Sequence, residues 1–247
     1  MANNIDYSKI STTTSNNIKT VFDDGRFNIA LFHGTSTAFL PSILQNGLGG
    51  VDIITDLRAL ELFEKLVHLI EEHLPDYGEG YINQMKLILQ QKNGTKWRHG
   101  GAFITPSMDR AVKYAVNSYG SELLSMIHGI HEDVTKYIPG TEGIIDEYEE
   151  IKQLFAAEHR PLLVVADDVE LENIQSEDGN EASQSLHNFF MLLGDDVSSE
   201  NIRWAGQQAN FKLVKPKVID MDCCFEIVFH HRDKLHPKYE LRELTKI

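Results

Sequence analysis

Cysteine is scarce in this 247-residue chain, which carries only Cys223 and Cys224, and these two are neighbours. Adjacent cysteines cannot cross-link distant segments, so the fold must be stabilised by its apolar core, as in a reducing compartment. The two-residue gap of zinc-binding cysteine pairs is missing, and the spacing of His230, His231 and His236 matches no zinc site. The sequence therefore predicts no metal centre and two wholly or partly buried thiols.

Long apolar runs are also absent, because none approaches the roughly 18 residues that a membrane-spanning helix needs. The sequence therefore predicts no contact with a membrane. Residues 1–20 are polar and rich in Asn, Ser and Thr, and they lack the charged and then apolar order of an export signal. We expect a flexible leader over residues 1–20, no signal peptide and a location in the cytoplasm.

Basic residues are few relative to acidic ones, with Lys+Arg 23 against Asp+Glu 37 and a formal net charge of −14. So acidic a surface repels phosphate backbones and anionic lipid headgroups, which disfavours nucleic-acid and membrane partners. The hydrophobic fraction of 42% is ordinary for a globular protein, and no repeat or low-complexity tract interrupts the chain. We expect a single α+β domain over residues 21–247, with a helical insertion at about 52–98.

Apolar periodicity places short strands and helices along the chain. A buried strand is predicted within residues 28–36, a short helix over 38–46, and a long helical stretch over 55–92 that breaks at Pro75. A further helix is predicted to begin after Ser107, which has the side chain of an N-cap. Additional strands are predicted over 100–105, 161–166, 211–214, 218–221, 225–229 and 239–244, and additional helix over 121–158.

The first of these strands ends in a motif with chemical potential, running from Phe32 to Ser36. His33 can hydrogen-bond a sugar hydroxyl, and Gly34 lets a ligand approach the bare backbone. Two hydroxyl residues, Thr35 and Ser36, complete the motif. By itself the motif is a weak signal, because His-Gly at a strand end is common and more often marks a structural histidine.

Three later features follow this motif in order. The helix after the motif ends at Gly47, and a strand with the sequence Gly-Ala-Phe-Ile-Thr then carries Phe103. Tyr114 follows on the next helix, eleven residues later, and Glu226 opens an apolar segment, Glu-Ile-Val-Phe. This order resembles the ADP-ribosyltransferase superfamily, in the branch of diphtheria toxin and the poly(ADP-ribose) polymerases, whose two aromatic residues have the same spacing.

The resemblance covers roughly residues 28–50, 99–120 and 211–244. It implies an α+β fold with an ADP-ribosyltransferase-like split β-sheet core. It also implies an NAD-dependent mono-ADP-ribosyltransferase, a glycosyltransferase of the pentosyl class, that transfers ADP-ribose from NAD to an acceptor and releases nicotinamide. NAD is then a co-substrate, and a bacterial toxin or effector delivered into a host cytoplasm fits this class.

The resemblance further implies a role for each motif residue. Glu226 would bond the ribose 2′-hydroxyl and stabilise the positive charge that develops on that ribose, with His33 as the second catalytic residue, holding the adenosine-side ribose. The Gly34 backbone would bond the nicotinamide amide, and Phe103 and Tyr114 would stack on its ring. The other residues assigned to NAD binding carry hydroxyl groups: Thr35, Ser36, Thr105 and Ser107.

Two departures from the family pattern keep alternatives open. Phe103 stands where the family usually has a tyrosine, and Ala111 stands where the polymerases place a serine that contacts nicotinamide. These departures suggest a catalytically weak or inert module that binds NAD or ADP-ribose. An RNA 2′-phosphotransferase-like enzyme of the same fold is a further alternative, which the charge of −14 disfavours.

NAD would bring two phosphates to an acidic chain, so the site requires a local group of cations. The cations that flank the Gly-Ala-Phe-Ile-Thr strand and the helix after it are Lys96, Arg98, Arg110 and Lys113. No motif identifies the acceptor, but the acidic residues concentrated in 132–200 favour a protein over a nucleic acid. The helical block over 52–98 is expected to lie over or beside the NAD cleft and to help select the acceptor.

Overall fold

The computed structural model describes residues 21–23, 25–90, 101–117, 120–177, 182–193, 198–231 and 238–244. Within them the protein is mixed α and β with antiparallel sheets, which is compatible with the predicted α+β class. The predicted leader, residues 1–20, lies outside the described residues. The chain divides into two compact units, of which the first comprises Met1–Gly50, Ala102–Gly120 and His159–Ile247 and the second Val51–Gly101 and Ser121–Glu158.

The elements of the described residues alternate between short strands and helices. The strands are β1 (Phe22–Asp23), β2 (Arg26–Phe27), β3 (Leu31–Ser36), β4 (Phe103–Ile104), β5 (Pro161–Ala166), β6 (Ile174–Ser176), β7 (Phe211–Leu213), β8 (Cys224–His231) and β9 (Lys238–Glu243). The helices are α1 (Leu40–Asn46), α2 (Ala59–His73), α3 (Glu79–Leu89), α4 (Met108–Asn117), α5 (Glu122–Tyr137), α6 (Glu149–Ala156), α7 (Ser183–Leu193) and α8 (Ser199–Gly206).

The first unit is built on two antiparallel sheets. The larger has the strand order β3-β5-β8-β9, and the smaller has the order β4-β7-β6. The backbones of Phe32 and Thr105 join the sheets through two hydrogen bonds, of 2.8 Å from Phe32 N and 2.9 Å from Thr105 N. Strand β4 is thereby held beside the edge of β3 that faces away from β5.

Side chains of the larger sheet alternate between two apolar cores, as the strand period of two requires. The inner face of the sheet contributes to a core shared with side chains of β4, β6, β7 and α7, and its buried members are Leu31, Leu162, Val164 and Cys224. The α4 face packs on the buried side of helix α4, and its members are Phe32, Leu163, Val165, Phe225 and Ile227.

Helix α4 approaches β3 very closely at one residue. A Cβ atom added to Gly34 would lie 1.8 Å from the carbonyl oxygen of Ala111, in the middle of α4. No side chain fits in that space, so the helix backbone rests directly on the strand backbone. Ala111 and Ala115 extend this contact, because both are buried in the core between α4 and the sheet.

The second unit is helical. Helix α2 places a buried apolar face, which includes Phe63 and Leu66, against α5, whose buried side includes Ile127 and Ile130. Tyr148 is almost fully buried in this unit, and its hydroxyl donates to Glu61 over 3.2 Å. The predicted insertion over 52–98 forms only part of the unit, which also takes in the helical segment Ser121–Glu158.

Several predicted elements match and some do not. The strand over 161–166 is confirmed to the residue, and the break at Pro75 separates α2 from α3. The strand predicted over 218–221 is wrong, because residues 218–220 are irregular and Met221–Cys223 forms a 3-10 turn. Glu226 does not open its strand, since β8 begins two residues earlier.

Candidate active site

The edge of β3 offers the backbone of Gly34. Thr37 N donates to Arg160 O over 2.8 Å, in register with β5, whereas Phe32 bonds on the opposite side, to Thr105. Alternate residues of an antiparallel strand direct their N–H and C=O to opposite sides. Gly34 therefore directs its N–H and C=O to the side of Phe32, away from β5. This is the edge at which the family resemblance places the nicotinamide amide.

His33 lies beside this edge, on the inner face of the sheet, because it pairs with the inner residue Val164. Its Nδ1 is 2.7 Å from the carbonyl oxygen of Phe103. Since a carbonyl oxygen only accepts, Nδ1 carries the proton, and Nε2 of the neutral ring is an acceptor. Burial lowers the pKa of His33 from its ordinary value of 6.5. The ring is therefore neutral near pH 7, with Nε2 able to accept a hydrogen bond from a hydroxyl.

The two aromatic residues of the motif stand on the two elements that flank Gly34. Phe103 is the first residue of β4, which the Phe32–Thr105 bridge holds beside β3, and its side chain is half-buried. Tyr114 lies on α4, about one turn after Ala111, and is 36% exposed. The fold therefore brings the two elements that carry these aromatics, β4 and α4, next to β3.

Glu226 lies on the same face of the sheet as His33. Glu226 pairs with Leu162 of β5, and Leu162 in turn pairs with Thr35 of β3, so these three form one row across the sheet. Two strand spacings separate Thr35 from Glu226, or about 10 Å between backbones. His33 precedes Thr35 by two residues and therefore lies in the next row of that face. The predicted catalytic pair is thus on one surface of one sheet.

The carboxylate of Glu226 has a cationic partner that the sequence did not indicate. Glu226 Oε2 is 2.5 Å from Arg160 Nη1, in an ion pair whose side chains are 16% and 40% exposed, respectively. Arg160 immediately precedes β5, and its backbone N donates to Thr37 Oγ1 over 3.0 Å. An arginine before a strand is unremarkable in sequence. It becomes informative only when the strand pairing is known.

The hydroxyl residues of the prediction have partners within the fold. Ser36 Oγ lies 3.0 Å from His159 Nδ1. It also accepts from the N–H of Ala38, so Ser36 is the N-cap of a 3-10 turn. Thr105 Oγ1 donates to the carbonyl oxygen of Gly206 over 2.9 Å.

Ser107 is fully buried, and its Oγ accepts from Arg110 N in the first turn of α4. Thr35 is 2% exposed. A Cβ atom on Gly120 would lie 2.7 Å from Thr35 Oγ1, so this hydroxyl is tightly enclosed. The assignment of Thr35, Ser36, Thr105 and Ser107 to NAD binding stays a prediction, beside the structural roles that their positions show.

The cations expected near β4 and α4 are differently placed. Arg110 donates from Nη1 to the carbonyl oxygen of Gln207 over 2.8 Å, and its Nη2 is 3.7 Å from Glu177 Oε2. Lys113 is exposed on α4. Lys96 and Arg98 lie outside the described residues. At Glu226 the cation is Arg160.

The cysteines are placed as predicted, with Cys224 buried and Cys223 partly buried. Burial raises the pKa of Cys224 to about 12, so its thiol is protonated at neutral pH. Over the described ranges, no three side chains of His, Cys, Asp and Glu are grouped so as to hold a metal ion. None of the helices described above is both long and apolar enough to cross a bilayer.

Comparison with known proteins finds no matching family model, no similar curated protein and no similar solved structure. The geometry of this chain and the resemblance of its motifs are therefore the grounds on which a function can be proposed. That geometry combines a backbone N–H and C=O at a sheet edge, a neutral imidazole acceptor, two aromatic rings and a carboxylate. Together these groups can recognise an amide and a sugar hydroxyl, and they can stabilise a cation beside the sugar.

Proposed function

We propose that this protein is an NAD-dependent mono-ADP-ribosyltransferase with the split-sheet fold of that superfamily. The observation that carries the proposal is the strand register, which puts His33 and Glu226 on one face while Gly34 opens its backbone to the adjacent edge. The motif resemblance assigns His33 to the adenosine-side ribose, Glu226 to the ribose that carries nicotinamide, and Gly34 to the nicotinamide amide. Phe103 and Tyr114 stand on β4 and α4, the elements that flank Gly34, and in the proposed function their rings stack on nicotinamide.

The chemistry follows from the character of these groups. The bond between the nicotinamide nitrogen and ribose C1′ breaks, and its electron pair stays with nicotinamide, which leaves as a neutral molecule. Positive charge develops on the ribose, where the ionised carboxylate of Glu226 stabilises it and bonds the 2′-hydroxyl. A nucleophilic atom of the acceptor then bonds to C1′ and loses its proton to water. His33 Nε2 accepts from a hydroxyl of the other ribose and so orients the dinucleotide.

The acceptor is proposed to be a protein. A chain with a net charge of −14 repels a nucleic-acid backbone and attracts a basic protein surface. The same acidity weakens the case for an RNA 2′-phosphotransferase. Action within a cytoplasm, that of the producing cell or of a host, is part of this proposal.

The test measures release of nicotinamide from NAD labelled in the nicotinamide ring. Glu226→Gln keeps the size of the side chain and removes its charge, so we expect release to fall by roughly 100-fold or more. Glu243→Gln is the matched control, because Glu243 is an exposed carboxylate on β9. This variant should release nicotinamide at the native rate. Equal release by the native protein and Glu226→Gln would overturn the role of Glu226. Absence of both NAD binding and release in the native protein would overturn the function.

A second candidate function is an NAD-binding module without turnover. The ion pair between Glu226 and Arg160 favours it, because a carboxylate neutralised by a guanidinium stabilises a ribose cation less well. The departures from the family pattern at Phe103 and Ala111 also favour this candidate. Calorimetry that shows NAD binding, combined with no nicotinamide release over hours, would establish this candidate over the transferase.

A further inference from the structure

The ion pair between Arg160 and Glu226 conflicts with the proposed task of Glu226. A carboxylate stabilises a neighbouring ribose cation through its negative charge, and Arg160 Nη1 lies only 2.5 Å from Glu226 Oε2. The guanidinium both cancels that charge and repels a cation that forms nearby. For Glu226 to act, Arg160 must therefore exchange the carboxylate for another anion.

The position of Arg160 allows such an exchange. Two hydrogen bonds to Thr37 hold the backbone of Arg160. Thr37 N donates to Arg160 O over 2.8 Å, and Arg160 N donates to Thr37 Oγ1 over 3.0 Å. Its side chain is 40% exposed, whereas that of Glu226 is 16% exposed. The backbone is thus fixed, and part of the side chain reaches solvent although its Nε is buried. Arg160 is therefore the more accessible member of the pair to an anion from solvent.

Building on the proposed function, we propose that Arg160 is an anion-binding switch. When the dinucleotide binds, Arg160 breaks its ion pair with Glu226 and binds the diphosphate instead. Substrate binding then frees the carboxylate at the moment when it is needed. In the unliganded protein the ion pair holds Glu226 in a neutralised state.

The chemistry of the partner groups supports a phosphate as the incoming anion. A guanidinium presents parallel N–H donors that match two phosphate oxygens, and a diphosphate carries more charge than one carboxylate. The chain as a whole is acidic, so an approaching diphosphate needs a local cation. Arg110, a cation that the sequence offered for this task, is instead directed at Gln207 O and Glu177.

The decisive experiment measures binding of inorganic pyrophosphate by calorimetry, because that probe requires neither nicotinamide nor turnover. Four proteins are compared: the native chain, Arg160→Gln, Glu226→Gln and the double variant. We expect Glu226→Gln to bind pyrophosphate about tenfold more tightly, since Arg160 no longer has to leave a charged partner. Arg160→Gln should lose about tenfold or more in affinity, and the double variant should behave like Arg160→Gln.

Two controls separate this effect from general changes in charge and folding. Lys215→Gln removes one positive charge from an exposed ion pair with Glu172 elsewhere in the same unit, and it should bind pyrophosphate like the native chain. Arg160→Lys keeps the charge without the planar fork, so its affinity should fall between those of the native chain and Arg160→Gln. Thermal melting of each variant confirms that the proteins compared are folded.

The measurements distinguish failure of the switch from failure of the transferase proposal. Pyrophosphate affinity that is unchanged or weaker in Glu226→Gln, or unchanged in Arg160→Gln, overturns the switch and leaves a structural ion pair. The predicted order of affinities supports the switch whether or not NAD is consumed. If that order holds but the native chain releases no nicotinamide, the transferase proposal fails by itself. If nicotinamide is released while the variants bind pyrophosphate equally, only the switch fails.

Discussion

A methyl group added at Gly34 would collide with the backbone of helix α4. The ideal Cβ position is 1.8 Å from the carbonyl oxygen of Ala111, and real Cβ atoms essentially never come within 3.0 Å of a non-bonded heavy atom elsewhere in the chain. Gly34→Ala therefore requires at least 1.2 Å of extra separation between β3 and α4. The obstacle is a carbonyl group in the middle of a helix, which cannot rotate away as a side chain would. We place the cost at the upper end of the overpacking range, about 3 kcal/mol.

The assay is thermal melting of Gly34→Ala beside a matched glycine. For a chain of this length, a loss of about 3 kcal/mol corresponds to a fall in Tm of about 6–12 °C. Gly129→Ala is the control, because Gly129 is inside α5 with no atom within 4 Å of the added Cβ. Alanine is the better helix former there, so this variant should gain about 1 kcal/mol. A Tm for Gly34→Ala within 1 °C, roughly, of the native value would refute the packing argument.

Two further predictions concern His33 and Thr105. Because burial lowers the pKa of His33 below 6.5, the unfolded chain binds a proton that the folded chain does not, and this costs stability as pH falls through about 6.5. The advantage in Tm of the native protein over His33→Gln should therefore shrink from pH 7.5 to pH 5.5. A Tm difference that does not change with pH would contradict this prediction. Thr105→Val removes the buried bond to Gly206 O and should lower the free energy of unfolding in urea by about 1–3 kcal/mol. Unchanged stability would exclude a structural role for that hydroxyl.

Local sequence signals sufficed for the elements that carry most of the site. The apolar run from Leu162 to Val165 predicts β5, and Ser107 followed by Asp109 predicts the start of α4. Both elements depend on residues close together in the chain, so single-sequence patterns identify them. The order of the motifs, read by resemblance, also named His33 and Glu226, which the structure places on one face of one sheet.

Long-range pairing was beyond the reach of the same signals. Strand β6, Ile174–Ser176, has only three residues and forms because β7 offers it partners, from Ile174 opposite Leu213 to Ser176 opposite Phe211. The run over 218–221 has strand-like residues but only a single bridge, at Lys217, beside it. Arg160 became a partner of Glu226 only through the pairing of β5 with β8. Such contacts join segments far apart in sequence, and no local pattern encodes them.

The backbone of Gly34 also bears on which ligand groups the proposed NAD site would accept. One N–H and one C=O lie side by side at the edge of β3, so a ligand group that complements them must itself both donate and accept. A primary carboxamide meets that requirement. A carboxylate does not, because it would set an oxygen anion against the carbonyl oxygen of Gly34. In the proposed NAD site, the strand edge would thus separate an amide from the corresponding acid through backbone groups.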